Sequence, residues 1–192
     1  RFLVTTSMFL KNAQQAAAEA GNIQEIFTFD NAPGATPFSA LLEAPELEIG
    51  PAINSATDLV ALPYSSGTTG GSKGVMLTHR NLVANMAQLA GLESQCRPIT
   101  EEDKLIAVLP FFHIYGLLVI MNYALSCGAA IVVLGRFDLE EFLGVIQDQR
   151  VTFAHLVPPI LLALAKHPLV DAYDLSSLQG IVSGAAPLGE DL

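Results

Sequence analysis

Basic residues are scarce in this sequence: nine lysines and arginines stand against nineteen acidic residues, a net charge of −10 over 192 residues. No basic patch stands out, which argues against nucleic acid or an anionic membrane as a partner. The same charge repels anionic substrates at long range, so a phosphate site must be made locally from backbone N–H groups and one or two cations. Cysteine is equally sparse. Cys96 and Cys127 lie far apart and fit no metal-ligand spacing, so no metal ligands are assigned and both read as buried or half-buried thiols in a reducing, cytoplasmic compartment. No stretch reads as a signal peptide or as a transmembrane segment. The most apolar run, Phe111 to Cys127, carries His113, Gly116 and Asn122 and is short of the about 20 apolar residues that a bilayer requires, so a buried core helix is expected there. Repeats and low-complexity tracts are missing too. The remaining composition, 51% hydrophobic and 15% charged, is that of a globular chain large enough for one core-bearing domain.

What is present alternates between strands and helices. Phe2 to Thr6 is expected as a short buried strand, and Ser7 as the cap of an Ala-rich helix that Gly21 stops. Ile23 to Phe29 follows as a second strand. Residues 31–57 read as a surface connection with a short helix near Pro37 to Leu42. A buried strand is expected from Asp58 to Tyr64, a loop from Ser65 to Gly74 and a strand from Val75 to Thr78. Leu82, Val83, Met86, Leu89 and Ala90 then recur at helical spacing up to Gly91. Strands at Lys104–Leu109, Ala129–Leu134, Thr152–Val157 and Gln179–Val182 alternate with the apolar helix, an Asp138-capped helix to Gln149 and a proline-started helix from Pro159 to Lys166. The alternation predicts an α/β fold with largely parallel sheets. A polar break around Arg97 to Glu102 predicts two αβ subdomains, residues 1–98 and 99–192. The chain opens at Arg1 without an initiating methionine and closes at Leu192 after a glycine-rich turn, so a segment of a longer polypeptide is expected.

The strongest local signal is Tyr64-Ser65-Ser66-Gly67-Thr68-Thr69-Gly70-Gly71-Ser72-Lys73-Gly74, with four glycines, five hydroxyl residues and one lysine in the ten residues after Tyr64. Glycine lets a backbone turn tightly and bring N–H groups to an anion, hydroxyls add donors, and a lysine supplies a point charge for the outer phosphates. The Walker pattern fails, because Ser72 and Gly74 flank the lysine, and the dinucleotide fingerprint G-x-G-x-x-G is absent. Residue types alone leave open a Ser/Gly hairpin of no function.

With the following Val75-Met76-Leu77-Thr78-His79-Arg80-Asn81, this loop resembles the signature phosphate loop of the adenylate-forming (AMP-binding) acyl- and aryl-CoA synthetases, a superfamily that includes beetle luciferases and nonribosomal-peptide adenylation domains. One departure is Ser72, where the family usually has proline, a difference expected to alter loop stiffness. Pro110-Phe111-Phe112-His113-Ile114-Tyr115-Gly116 resembles the family's segment that begins the helix lining the acyl pocket, and Ser183-Gly184-Ala185-Ala186-Pro187-Leu188-Gly189 its turn beside adenine and substrate. Arg136-Phe137-Asp138, Val157-Pro158-Pro159 and Tyr173-Asp174-Leu175-Ser176 add to a likeness that runs from about Asp58 to Leu192 and is closest to 4-coumarate- and cinnamate-CoA ligases.

The resemblance implies a fragment of the large N-terminal domain of the adenylate-forming fold, with parts of two largely parallel sheets and flanking helices and without the mobile C-terminal domain. It implies ATP-dependent activation of a carboxylic acid, an aryl acid such as 4-coumarate being favoured, to an acyl adenylate and then a thioester with coenzyme A. ATP, Mg2+ and coenzyme A as co-substrate follow from it, as do small-molecule partners. Ser65, Ser66, Gly67, Thr68, Thr69, Gly70 and Lys73 are expected to cradle the phosphates, with Gly184, Ala185, Ala186 and Pro187 against adenine or acid. Lys73 and His113 are the expected catalytic residues, His113 acting as a gate or donor near the substrate carboxylate. His113, Tyr115, Asn122 and Ser183 are expected in the substrate pocket. Asn122, seven residues beyond Tyr115 and on the same α-helical face, suits either a ring substituent or a helix–helix polar contact. His79 reads as a helix-capping neighbour of Thr78, and His155 and His167 as ordinary histidines. The family's magnesium-associated, ribose-binding and C-terminal lysine elements are expected beyond Leu192, so the 192 residues alone are expected to be inactive or nearly so. A fatty-acyl-CoA ligase, a carrier-loading adenylation domain, a luciferase-type oxygenase and a non-catalytic nucleotide-binding module remain open alternatives.

Overall fold

The computed structural model describes residues 1–45, 50–65, 71, 73–93 and 96–189. These form two compact units, Arg1–Ala52 and Ile53–Leu192. The expected subdomain boundary at 98/99 therefore falls inside the second unit.

In the first unit, β1 (Phe2–Thr5), β2 (Glu25–Thr28) and β3 (Thr36–Pro37) form a parallel sheet in that order. Helix α1 (Leu10–Ala20) crosses between the first two strands, and α2 (Ser39–Leu42) follows the third. Gly21 ends α1 as expected, at φ 65 with its N–H on the Ala17 carbonyl. Ser7 does not cap α1. A 3₁₀ turn, Ser7–Phe9, leads into the helix, while the Ser7 N–H and hydroxyl both bond the Asp30 carboxylate. Nor is β1 buried throughout, since Phe2 is 64% exposed.

The second unit opens with two short antiparallel pairs. Strand β4 (Leu59–Ala61) pairs with β7 (Leu77–Thr78), and between them β5 (Tyr64–Ser65) pairs with β6 (Lys73–Gly74). The strand expected as buried from Asp58 to Tyr64 is thus cut short, and Leu59 and Val60 keep much of their surface. Helix α3 (His79–Glu93) follows and runs through Gly91 rather than stopping there. Thr78 and Asn81 close its first turn reciprocally, the Asn81 N–H on the Thr78 hydroxyl and the Thr78 N–H on Asn81 Oδ1.

The larger parallel sheet holds β8 (Lys104–Ala107), β9 (Ala130–Val133), β10 (Phe153–Leu156) and β11 (Gly180–Ser183) in the order β11-β10-β8-β9. A nine-residue π-helix (Tyr115–Tyr123) and α4 (Ala124–Ser126) link β8 to β9, α5 (Leu139–Gln149) links β9 to β10, and α6 (Pro158–Lys166) links β10 to β11. Asp138 caps α5, accepting the Glu141 N–H at 3.0 Å, and Pro158 starts α6. The 3₁₀ turn Pro168–Ala172, with Leu169 N–H bonded to His167 Nδ1, was not foreseen from sequence.

Strand alternation sends side chains to two cores. On one face Ile106, Ala154 and Leu156 meet Phe142, Leu143 and Ile146 of α5. On the other, Leu105 and Phe153 meet Tyr123 and Ala124, with Met86 and Leu89 of α3 packed against them. All four residues of β10 are buried, as a central parallel strand covered on both faces requires. His155, two residues from Phe153, therefore faces α3 and the π-helix. No helix among the described residues is long and apolar enough to cross a membrane.

Candidate active site

The glycine-rich loop is closed at its base by the β5–β6 hairpin. Tyr64 stands opposite Gly74 and Ser65 opposite Lys73, and the Val75 N–H donates to the Pro63 carbonyl at 2.8 Å. Both loop residues in the hairpin, Ser65 and Lys73, are exposed, as is Gly71. Ser66, Gly67, Thr68, Thr69 and Gly70, the other expected phosphate ligands, lie outside the described residues. The strand pair fixes where the chain enters and leaves the glycine-dense span.

His113 lies beside that base. It lines a cavity of about 180 Å³ with Tyr64, Ser65, Val75 and Leu77. The Tyr115 N–H donates to His113 Nδ1 at 3.2 Å, so Nδ1 is the acceptor and a neutral ring carries its hydrogen on Nε2. The π-helix begins here. Gly116 is required at its first turn, because a Cβ would sit 2.2 Å from the Pro110 carbonyl oxygen.

Tyr115 leads into a second, larger cavity of about 370 Å³, lined by Leu89, Val119, Phe153, His155 and Val182 among others. Its hydroxyl lies 3.1 Å from His155 Nδ1 and its ring meets the imidazole edge-on. Burial pushes the His155 pKa down to about 4, so this ring is neutral near pH 7. The turn after β11 closes on the same tyrosine. Gly184 donates its N–H to the Leu156 carbonyl at 2.9 Å, and a Cβ there would come within 2.7 Å of the Tyr115 ring. Ala185 adopts φ 65, a left-handed conformation that non-glycine residues seldom hold and that often marks a working turn. Ala186 and Pro187 follow, exposed. Loop base, His113, Tyr115 and the 183–187 turn are thus joined through the start of the π-helix.

The whole chain, residues 1–192, matches the AMP-binding enzyme family. It belongs to that family. Among curated relatives it is 45% identical over 193 residues to 4-coumarate--CoA ligase 1 of Petroselinum crispum, and 46% identical over 198 residues to 4-coumarate--CoA ligase 2 of Nicotiana tabacum. Each alignment covers 100% of this chain and 35% of the relative, so the chain spans about a third of the length of these proteins. Among solved structures it is similar to a red-emitting luciferase from Phrixothrix hirtus, with TM-score 0.82 and 27% identity over 99% of this chain and 38% of that one. It is also similar to ATP-bound MatB from Rhodopseudomonas palustris, with TM-score 0.81 and 29% identity over 99% of this chain and 36% of that one.

Within this AMP-binding chain the expected pocket residues divide. Tyr115 lines the large cavity and His113 the small one. Ser183 carries a buried hydroxyl with no hydrogen-bond partner among the described residues. Asn122 is engaged elsewhere: its amide donates to the Leu117 carbonyl at 2.7 Å, and it is not among the residues lining the large cavity. The face argument assumed an α-helix. A π-helix winds more slowly, at roughly 4.4 residues per turn, so seven residues lead away from the starting face rather than back to it.

Two cavity residues escaped sequence reasoning. His155 read as an ordinary core histidine, and it is buried, but its pairing with Tyr115 depends on sheet order. Arg97 sits in the polar break and, half-buried itself, holds the buried Asp103 carboxylate. Its Nη2 meets Asp103 Oδ1 at 2.5 Å and Gln179 Oε1 at 2.9 Å, and its guanidinium carbon lies 5.5 Å from the Phe153 ring centre. Asp103, 3% exposed, also accepts from the Thr152 hydroxyl at 2.6 Å and the Thr100 N–H at 2.8 Å. Burial alone would raise its pKa, but the bonds from Arg97, Thr152 and Thr100 and the Arg97 charge overcome it and hold the carboxyl at about 2.

Proposed function

We propose that the protein of which this chain is a part activates a carboxylic acid with ATP and passes the acyl group to coenzyme A, with an aryl acid such as 4-coumarate favoured. The observation that carries the reading is the position of His113 and Tyr115. Two residues apart, they border the base of the phosphate-type loop and the apolar cavity respectively. A carboxylate held near His113 would have its tail in the cavity and its oxygen beside a triphosphate held on the loop. Membership of the AMP-binding family and 45% identity to 4-coumarate--CoA ligases support the same reading.

In this mechanism a carboxylate oxygen attacks the α-phosphorus of ATP and pyrophosphate leaves. The sulfur of coenzyme A then attacks the acyl carbon and AMP leaves. Ser65, Ser66, Gly67, Thr68, Thr69 and Gly70 supply hydroxyl and N–H donors to the β- and γ-phosphates, and Lys73 the charge. His113 donates from Nε2 to the carboxylate and holds it in line. Gly184, Ala185, Ala186 and Pro187 form the wall against adenine and acid, and Ser183 offers its buried hydroxyl there. Among the described residues no three His, Cys, Asp or Glu side chains cluster to hold a metal. The large cavity, at about 370 Å³, falls in the usual ligand-pocket range of roughly 300–1,000 Å³. The 98/99 boundary is proposed as a subdomain division of the longer protein, and a cytoplasmic location is proposed with it.

The test is acid-dependent exchange of labelled pyrophosphate into ATP by the full-length protein. Lys73→Met is expected to lower the exchange rate roughly 100- to 1,000-fold, and His113→Ala to raise the KM for acid much more than that for ATP. Exchange that is independent of added acid, or indifferent to Lys73→Met, overturns the reading.

A further inference from the structure

One buried polar residue takes no part in the reaction proposed above. His155 is 2% exposed on β10, among Phe153, Ala154 and Leu156, and a polar side chain on a strand covered on both faces needs a partner. That partner is Tyr115. Nδ1 lies 3.1 Å from the phenol oxygen, and the two rings meet edge-on with centroids 5.8 Å apart. The Phe153 ring packs against the imidazole, its centre at 5.2 Å, so the histidine is seated within its own strand. The phenol in turn lies across the turn after β11. A Cβ on Gly184 would stand 2.7 Å from the Tyr115 hydroxyl oxygen, so the oxygen that pairs with His155 also covers the Gly184 Cα. The next residue of β10 holds that glycine by its backbone, the Leu156 carbonyl accepting the Gly184 N–H at 2.9 Å. Consecutive residues of one strand thus grip both partners, His155 the ring and Leu156 the turn.

We propose that His155 is a positioning residue, which holds the Tyr115 phenol over Gly184 and so sets at once the tyrosine wall of the large cavity and the course of the 184–187 turn. This rests on the reading of cavity and turn as the acid and adenine sites. Tyr115 is only partly buried. Without Nδ1 its ring is free to rotate about χ1 toward water, and that rotation takes it off Gly184. The turn has little else to hold it there. Gly184 has no side chain, and Ala185 follows at φ 65, a conformation that persists only where its surroundings over-determine it. Loss of the covering ring therefore disturbs both sites through one residue.

The test is steady-state kinetics of the full-length protein with 4-coumarate and ATP varied in turn, in His155→Leu, His155→Asn, Tyr115→Phe and the double variant of His155→Leu with Tyr115→Phe. His155→Leu is expected to raise the KM for acid and the KM for ATP roughly three- to tenfold each, the range that one neutral hydrogen bond accounts for. His155→Asn, whose amide stands close to the place of Nδ1, is expected to recover most of that rise. In the Tyr115→Phe background His155→Leu is expected to add less than about twofold, because the bond through which it acts is already gone. KM rises that multiply in the double variant show His155 acting apart from Tyr115 and overturn the proposal. So does a lowered kcat at unchanged KM values, which marks a merely structural role. If His155→Leu does not fold, Tyr115→Phe decides, since it keeps the ring and removes only the oxygen: both KM values within about twofold of wild type overturn the role of the pair. Wild-type protein without acid-dependent turnover sinks the reading of the two sites, and the proposal with it, whereas normal wild-type turnover with unaltered variants sinks the role of His155 alone.

Discussion

His155 stands neutral on a buried strand, and its environment gives the fold an acid-side weakness. Its pKa is pushed down to about 4 by burial, from an ordinary value of 6.5. The unfolded chain therefore binds the proton first as pH falls, and stability is lost between pH 6.5 and 4 while nothing changes above that window. The loss reaches about 3 kcal/mol at pH 4. A falling urea midpoint over this window in the full-length protein, with a smaller fall in His155→Phe, is the expected result. Asp103 acts lower: held at about 2 against an ordinary 3.8, it contributes stability above pH 3.8 that is lost as pH drops toward 2. At this scale the glycines, hydroxyls and lysine at close sequence spacing suggest the loop's chemistry locally, and the described residues give its base, Ser65 opposite Lys73. Arg97 and His155 were not legible, since 58 positions of chain part them and only sheet order brings both beside Phe153.

Elements carry their own tests. The Asp138 cap on α5 was readable from sequence, and its bond to the Glu141 N–H stands at 3.0 Å. Asp138→Ala is expected to cost about 0.5–2 kcal/mol in chemical denaturation of the full-length protein. At the head of the π-helix the constraint is steric. Gly116→Ala forces a Cβ against the Pro110 carbonyl oxygen, which as backbone yields less readily than a side-chain tip. A loss of about 1–3 kcal/mol or more is expected, with activity falling because His113 and Tyr115 flank this turn. Gly184→Ala meets the movable Tyr115 ring instead, so it is expected to raise the KM for acid while sparing stability. The strand–helix alternation of the larger sheet was legible in periodicity and turn residues. The π-helix was not, because an unbroken apolar run shows no period by which to tell a π from an α winding. The shortened β4 also escaped, since hydrophobic content marks a strand without saying how much of it finds a partner.

For the molecule as a whole, the order β11-β10-β8-β9 matters most. It sets β10 inside the sheet with one face on α5 and the other toward α3 and the π-helix, and it brings the turn after β11 against Tyr115. Alternation predicted parallel sheets but not this order, which is decided by long-range packing. The topology gathers the loop base and the 183–187 turn, distant in sequence from each other, beside His113 and Tyr115 at the start of the π-helix. The measurement that tests the account most directly is product formation by the full-length protein from ATP, 4-coumarate and coenzyme A, with each component omitted in turn. The account predicts AMP, pyrophosphate and the coumaroyl thioester in equal amounts, with sustained turnover only when acid and coenzyme A are both present. Folded protein that yields no acid-dependent pyrophosphate with 4-coumarate or with a long-chain fatty acid would contradict it.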